Sequence, residues 1–226
     1  MRALVALWIA LLGCSPGEQS GAPEPERPRE KGRVMSSTLS PELEGELAAI
    51  RKDPVESVGF GFKADIPYVP NRADSLIASR DPGVTERLVA DARAPGDRVY
   101  RMAVLHVLGK RADAGIDAAL VGFLDDPELC ATAAYLLGAA GYREYPTRAR
   151  DTDAVRAALR RHVDDAGTFA DPFYRKSFRT QDFAIAAYVR VSGPDGFPLT
   201  SPDLVGHGLP AFTDAERAAL LAQIAK

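Results

Sequence analysis

Cysteine, histidine and tryptophan are scarce in this chain of 226 residues, which holds two, three and one of them. With only Cys14 and Cys130, no framework of several disulfides of the kind that holds small secreted domains organises the fold. None of His106, His162 and His207 has a second His, Cys or carboxylate at helical or hairpin metal spacing, so no metal ligands are assigned. An excess of one charge is missing too. The 28 Lys and Arg against 31 Asp and Glu give a formal charge of -3, with no global footprint for nucleic acid. Nucleophile elbows, phosphate-binding loops and HExxH pairs are absent, so the chain reads as a non-enzyme without a cofactor. A long apolar run is also lacking: Ala3 to Leu12 spans 10 residues, half of the roughly 20 a membrane-crossing helix needs.

That short run, preceded by Arg2, suits the apolar region of a secretory signal. It ends in Leu11-Leu12-Gly13-Cys14, which resembles the lipobox of bacterial lipoproteins. The resemblance implies a signal peptide at 1–13 cleaved after Gly13, and lipid attachment at Cys14. It places the protein in the cell envelope, held to the lipid membrane through acylated Cys14. Ser15, where an Asp would direct inner-membrane retention, implies an outer-membrane anchor facing the periplasm if the host is Gram-negative. Residues 14–40 read as a disordered linker, because Pro16, Pro23, Pro25 and Pro28 alternate with glycines and mixed charges and leave little to bury.

Residues 41–226 are expected to form one all-α domain. Ser40-Pro41, Asp81-Pro82 and Asp126-Pro127 are start signals, and Thr213-Asp214-Ala215-Glu216 is a capping box ahead of the last helix. Ile116, Ala119, Leu120, Phe123 and Leu124 make one apolar stripe at helical spacing. It returns 39 residues later as Val155, Ala158, Leu159, His162 and Val163, and more faintly 32 residues earlier as Val84, Leu88 and Ala92. Between these stripes lie segments apolar nearly all round, Tyr100 to Gly109 and Leu129 to Gly138, whose closing glycines suit left-handed caps. Alternating one-stripe and all-apolar helices is what a stacked solenoid of helix pairs requires.

Asp126-Pro127-Glu128-Leu129, Ala133-Ala134 and Leu137-Gly138 resemble the bacterial HEAT-like repeat pattern Asp-Pro-Glu-Val-Arg…Ala-Ala…Leu-Gly. Asp97, Arg101, Ala103 and Leu108-Gly109 match the preceding unit, including the family's arginine, whereas Cys130 replaces that arginine in the next. The resemblance is clearest at 81–165 and implies an α-α superhelical solenoid whose concave surface binds an extended partner.

Within that domain His106 reads as a core histidine and Cys130 as a small buried hydrophobe. His207, with Asp195 and Asp203 in a Pro/Gly loop, is the one grouping an envelope enzyme or lyase-like protein could use. Function is sought where the repeat is interrupted. One interruption is the aromatic loop Gly59 to Pro70, readable as a lid over the domain's start. Another is the loop from Gly193 to Pro210, a strap or a partner-facing segment. The third combines aromatics with arginine: Tyr145, Arg148, Phe173, Tyr174, Arg175, Lys176 and Arg179 form either a partner-binding surface or core filling with solvated cations. The expected function is a membrane-anchored binding or scaffold lipoprotein with a protein partner in the envelope. The alternative is a tethered immunity or inhibitor protein against a single toxin or enzyme.

Overall fold

Side-chain oxygens placed just ahead of the apolar stripes start most of the helices. Ser40 Oγ accepts from the Leu43 amide at 3.4 Å, Asp81 from Gly83 at 2.8 Å, Asp97 from Val99 at 2.9 Å and Asp151 from Ala154 at 3.0 Å. Each answers one of the amides a helix start leaves without a partner. The computed structural model describes residues 38–54, 73–141, 145–171, 176–193 and 210–226. Among the described residues the helices are α1 (Pro41–Lys52), α2 (Asp74–Ala78), α3 (Pro82–Arg93), α4 (Arg98–Lys110), α5 (Ile116–Val121), α6 (Cys130–Ala139), α7 (Thr152–Arg160), α8 (Thr180–Ser192) and α9 (Asp214–Ile224). Strands β1 (Thr168–Asp171) and β2 (Lys176–Arg179) lie between α7 and α8.

The described fold is therefore mostly helical, as an all-α domain requires, with one small two-stranded sheet added. The hairpin is antiparallel, with Phe169 opposite Phe178 and Thr168 opposite Arg179. Its two phenylalanines converge on Phe183 of α8, with ring centroids 5.1 and 5.8 Å away, and this apolar triad holds the strands against the helices. Arg98 of α4 adds a second tie, donating to the Ala170 carbonyl at 3.0 Å with its guanidinium 5.7 Å from the Phe169 ring.

The most extensive helix contact is α6 on α8, followed by the successive pairs α3 with α4, α7 with α8 and α5 with α6. The second members also meet in order, α4 on α6 and α6 on α8, while α5 packs on α7 and α9 on α8. The stripes face this core: Val84, Leu88 and Ala92, then Ile116, Leu120, Phe123 and Leu124, then Val155, Ala158 and Leu159, are all buried. Every residue of α4 from Tyr100 to Lys110 is buried, so this helix presents no open face.

Sequence expectation and structure part at several points. Gly109 and Gly138 do not cap their helices in the left-handed region; among the described residues the positive-φ glycines are Gly115, Gly141 and Gly193. Gly109 and Gly138 instead mark where helices touch. A Cβ on Gly138 would stand 2.8 Å from the Ala187 Cα of α8, and one on Gly109 would meet the Leu136 side chain at 2.7 Å. Asp126-Pro127 does not open α6 directly. Residues 127–129 make a turn, the Asp126 carbonyl accepts from Cys130 at 2.7 Å, and its carboxylate accepts from Glu128 at 2.9 Å. Leu39, two residues ahead of α1, is buried in the core. The capping box at Thr213 and Glu216 is formed as expected, with both of its hydrogen bonds in place.

Candidate functional site

The aromatic and basic set taken from the sequence divides in two. Tyr145 and Arg148 are buried, at 4 and 7 % exposure, and belong to the core rather than to a partner-binding surface. Tyr145 OH lies 3.0 Å from Nδ1 of His106, and the two rings group with Tyr135 at centroid distances of 6.0 to 6.4 Å. Burial, and then the charge of Lys110, hold the His106 imidazole well below its ordinary pKa, so it is neutral. His106 is thus a core histidine, as expected. Arg148 is buried because Asp117 of α5 receives its Nε and Nη2 at 3.1 and 2.7 Å, while Arg150 Nε lies 2.7 Å from the other carboxylate oxygen. Two guanidiniums on one buried carboxylate fasten the segment after α6 to α5.

Lys176 and Arg179 lie on β2 and are exposed. Arg179 is engaged at one end, 3.0 Å from Asp214 at the start of α9. Phe173, Tyr174 and Arg175 lie outside the described residues, as do Gly13, Cys14, the 59–70 loop and the grouping of Asp195, Asp203 and His207. Near the insertion, the exposed cations among the described residues are Lys176 and Arg179 on β2 and Arg160 and Arg161 at the end of α7.

Buried arginines do much of the joining between pairs. Arg101 of α4 donates to the Ala92 carbonyl at 2.8 Å, to Glu128 at 2.6 Å and to the Asp126 carboxylate, which ties the first pair to the turn that opens α6. Arg111, after α4, donates to the Leu76 and Ser79 carbonyls at the end of α2, to Thr85 at 3.1 Å and to Asp113 at 2.7 Å. Tyr100 completes a neighbouring network: its OH donates to Asp91 at 2.6 Å, and burial, followed by that bond, pushes its pKa up to about 12. These groups have structural partners and none is placed for chemistry.

One group of ligand-type side chains was not legible from spacing. Cys130 at the start of α6 and His162 and Asp165 after α7 bring donor atoms within 4.8 Å of one another. Cys130 is 2 % exposed, and burial, then the negative charge of Asp165, Asp125 and Asp126, pushes its thiol pKa up to about 12. His162 Nε2 is buried without a hydrogen-bond partner, and Asp125 Oδ1 lies 3.5 Å from it. The sequence separations of 32 and 35 residues hide this grouping, but the 39-residue repeat offset contains it, since it maps Asp126 onto Asp165 and Phe123 onto His162.

Among the described residues no helix is long and apolar enough to cross a membrane. Compared with protein-family models, curated proteins and solved structures, the chain finds no match in any of the three.

Proposed function

We propose that this chain is a cell-envelope lipoprotein, anchored through an acylated Cys14, whose HEAT-like stack of helix pairs carries a protein-binding hairpin. The Leu11-Leu12-Gly13-Cys14 sequence supports the anchor. The ordered packing of three helix pairs, joined by the Arg101–Asp126 contact, supports the HEAT-like reading. The single observation that carries the binding reading is the insertion between α7 and α8. The second pair is joined by residues 122–129 alone, whereas the third is joined by residues 161–179, within which strands β1 and β2 pair. The insertion is fixed to the core by the phenylalanine triad and holds Lys176 and Arg179 outward. A rigidly held basic element on an otherwise mildly acidic chain suits an acidic protein partner. The burial of α4 from Tyr100 to Lys110 directs the reading to this hairpin and away from an open concave face.

Site-specific photo-crosslinking in envelope membranes tests this reading. A crosslinker at Lys176 should give discrete adducts that fade with added salt, while one at exposed Ala219 on α9 should give none. One adduct species would mark the tethered-inhibitor form of the proposal, and several the scaffold form. Equal labelling from both positions, or no salt-sensitive adduct at Lys176, would overturn it.

A further inference from the structure

Arg101 in α4 and Cys130 in α6 hold equivalent places in successive helix pairs, 29 residues apart, the same separation as Gly109 and Gly138. Asp126 and Asp165 are likewise equivalent, at the 39-residue offset that relates the stripes of α5 and α7. In the first unit the Asp126 carboxylate is paired with the Arg101 guanidinium. In the second, the residue facing Asp165 is Cys130, so the cation expected there has been replaced by a thiol. A second change falls at the same spot: the packing position held by Phe123 in the first unit is His162 in the second. Both departures bring a metal-ligating atom to the carboxylate that lost its arginine. Two independent core faults would not be expected to coincide on one acidic side chain.

We propose that Cys130, His162 and Asp165 form a zinc(II) site that takes the place of the missing arginine between the second and third helix pairs. Thiolate, imidazole and carboxylate together suit zinc, which accepts sulfur, nitrogen and oxygen at tetrahedral positions. Bond lengths of 2.0 to 2.3 Å place tetrahedral donors about 3.3–3.8 Å apart. The three donor atoms lie within 4.8 Å of one another, so side-chain rotations on the order of 1 Å close the site around an ion. His162 Nε2, buried without a hydrogen-bond partner, gains a ligand bond. Asp165 stays oriented by the Gly167 amide, which donates to its Oδ1 at 2.8 Å. Asp125 Oδ1, on an exposed side chain 3.5 Å from His162 Nε2, stands at the open side, where it or water fills the fourth position. On binding, the zinc–sulfur bond forms as the Cys130 thiol proton leaves to solvent. The ion then links the first residue of α6 to the turn after α7 and supplies the positive charge that Arg101 supplies one pair earlier.

The test is titration of the full chain carrying Cys14→Ser, so that Cys130 is the only thiol, with cobalt(II) and then zinc(II). Cobalt should produce a thiolate-to-metal charge-transfer band that one equivalent of zinc abolishes, and zinc should raise the Tm. His162→Gln and Asp165→Asn should each weaken binding by at least about tenfold. Cys130→Ser should remove the band. Cys130→Arg restores the ion pair of the preceding unit, so it should raise the Tm of the metal-free protein and abolish any zinc effect. Absence of the band, a band unchanged by His162→Gln and Asp165→Asn, or a zinc-induced Tm rise that persists in Cys130→Arg would each overturn the proposal.

Discussion

Arg217 of α9 and Asp182 of α8 form a two-pronged buried ion pair, with Nε to Oδ1 at 2.7 Å and Nη2 to Oδ2 at 3.1 Å. The same guanidinium donates to the Phe212 carbonyl at 2.7 Å, and the Phe212 amide donates back to Asp182 at 3.1 Å. With Phe212, Leu220 and Ile224 the pair docks the last helix onto α8.

Removing one partner leaves a buried charge without its counter-ion, which costs about 3–5 kcal/mol. Arg217→Met should therefore destabilise the domain by that amount in urea unfolding. The double variant Arg217→Met with Asp182→Leu should regain most of it, because a buried pair adds little over apolar groups of similar shape. A loss below about 1 kcal/mol in the single variant would mean the pair is not closed in solution.

His106 should make stability depend on pH. Its folded-state pKa is depressed by burial and Lys110, so the folded protein stays unprotonated there while the unfolded chain takes up a proton below about 6.5. The sign follows directly: stability is complete above about 6.5 and falls as pH drops below it, by up to about 1.4 kcal/mol per pH unit. Urea midpoints measured one unit either side of that value should diverge in the wild type and draw together in His106→Gln. Equal pH dependence in both proteins would place a charged histidine in the core.

Glycine-to-alanine substitutions separate contact from propensity. Ala is the better helix former by about 0.5–1 kcal/mol, so Gly45→Ala on α1, where a Cβ meets nothing within 4 Å, should stabilise by that amount. At Gly138 the new methyl meets the α8 backbone at 2.8 Å, and the separation of α6 from α8 should make the net change a loss of about 1–3 kcal/mol. Thermal unfolding of the two variants reads the contrast, and a stabilising Gly138→Ala would show that α6 and α8 are not in close contact.

Local chemistry explains which features could be read in advance. The caps at Ser40, Asp81 and Thr213 act over two or three residues, and the stripes at 84, 116 and 155 follow from helical period alone, so both were legible. The burial of His106 and Cys130 followed from their apolar neighbours. The hairpin was not legible, because each strand is four residues long and carries one phenylalanine, too little to declare a period of two. Arg148 read as a surface cation because its partner Asp117 lies 31 residues away and only the fold pairs them. The Cys130, His162 and Asp165 grouping escaped for the same reason, although two departures from the repeat, at Cys130 and His162, were in plain view.

The anchor is the part of the account on which the cellular role depends, and one measurement reaches it directly. Mass spectrometry of the N-terminal peptide, taken from the membrane fraction of cells expressing the full chain, should find it beginning at Cys14 with a diacylglyceryl group on the sulfur. The peptide should disappear in Cys14→Ala. A mature peptide that retains residues 1–13, or that begins elsewhere with Cys14 unmodified, would contradict the lipoprotein reading.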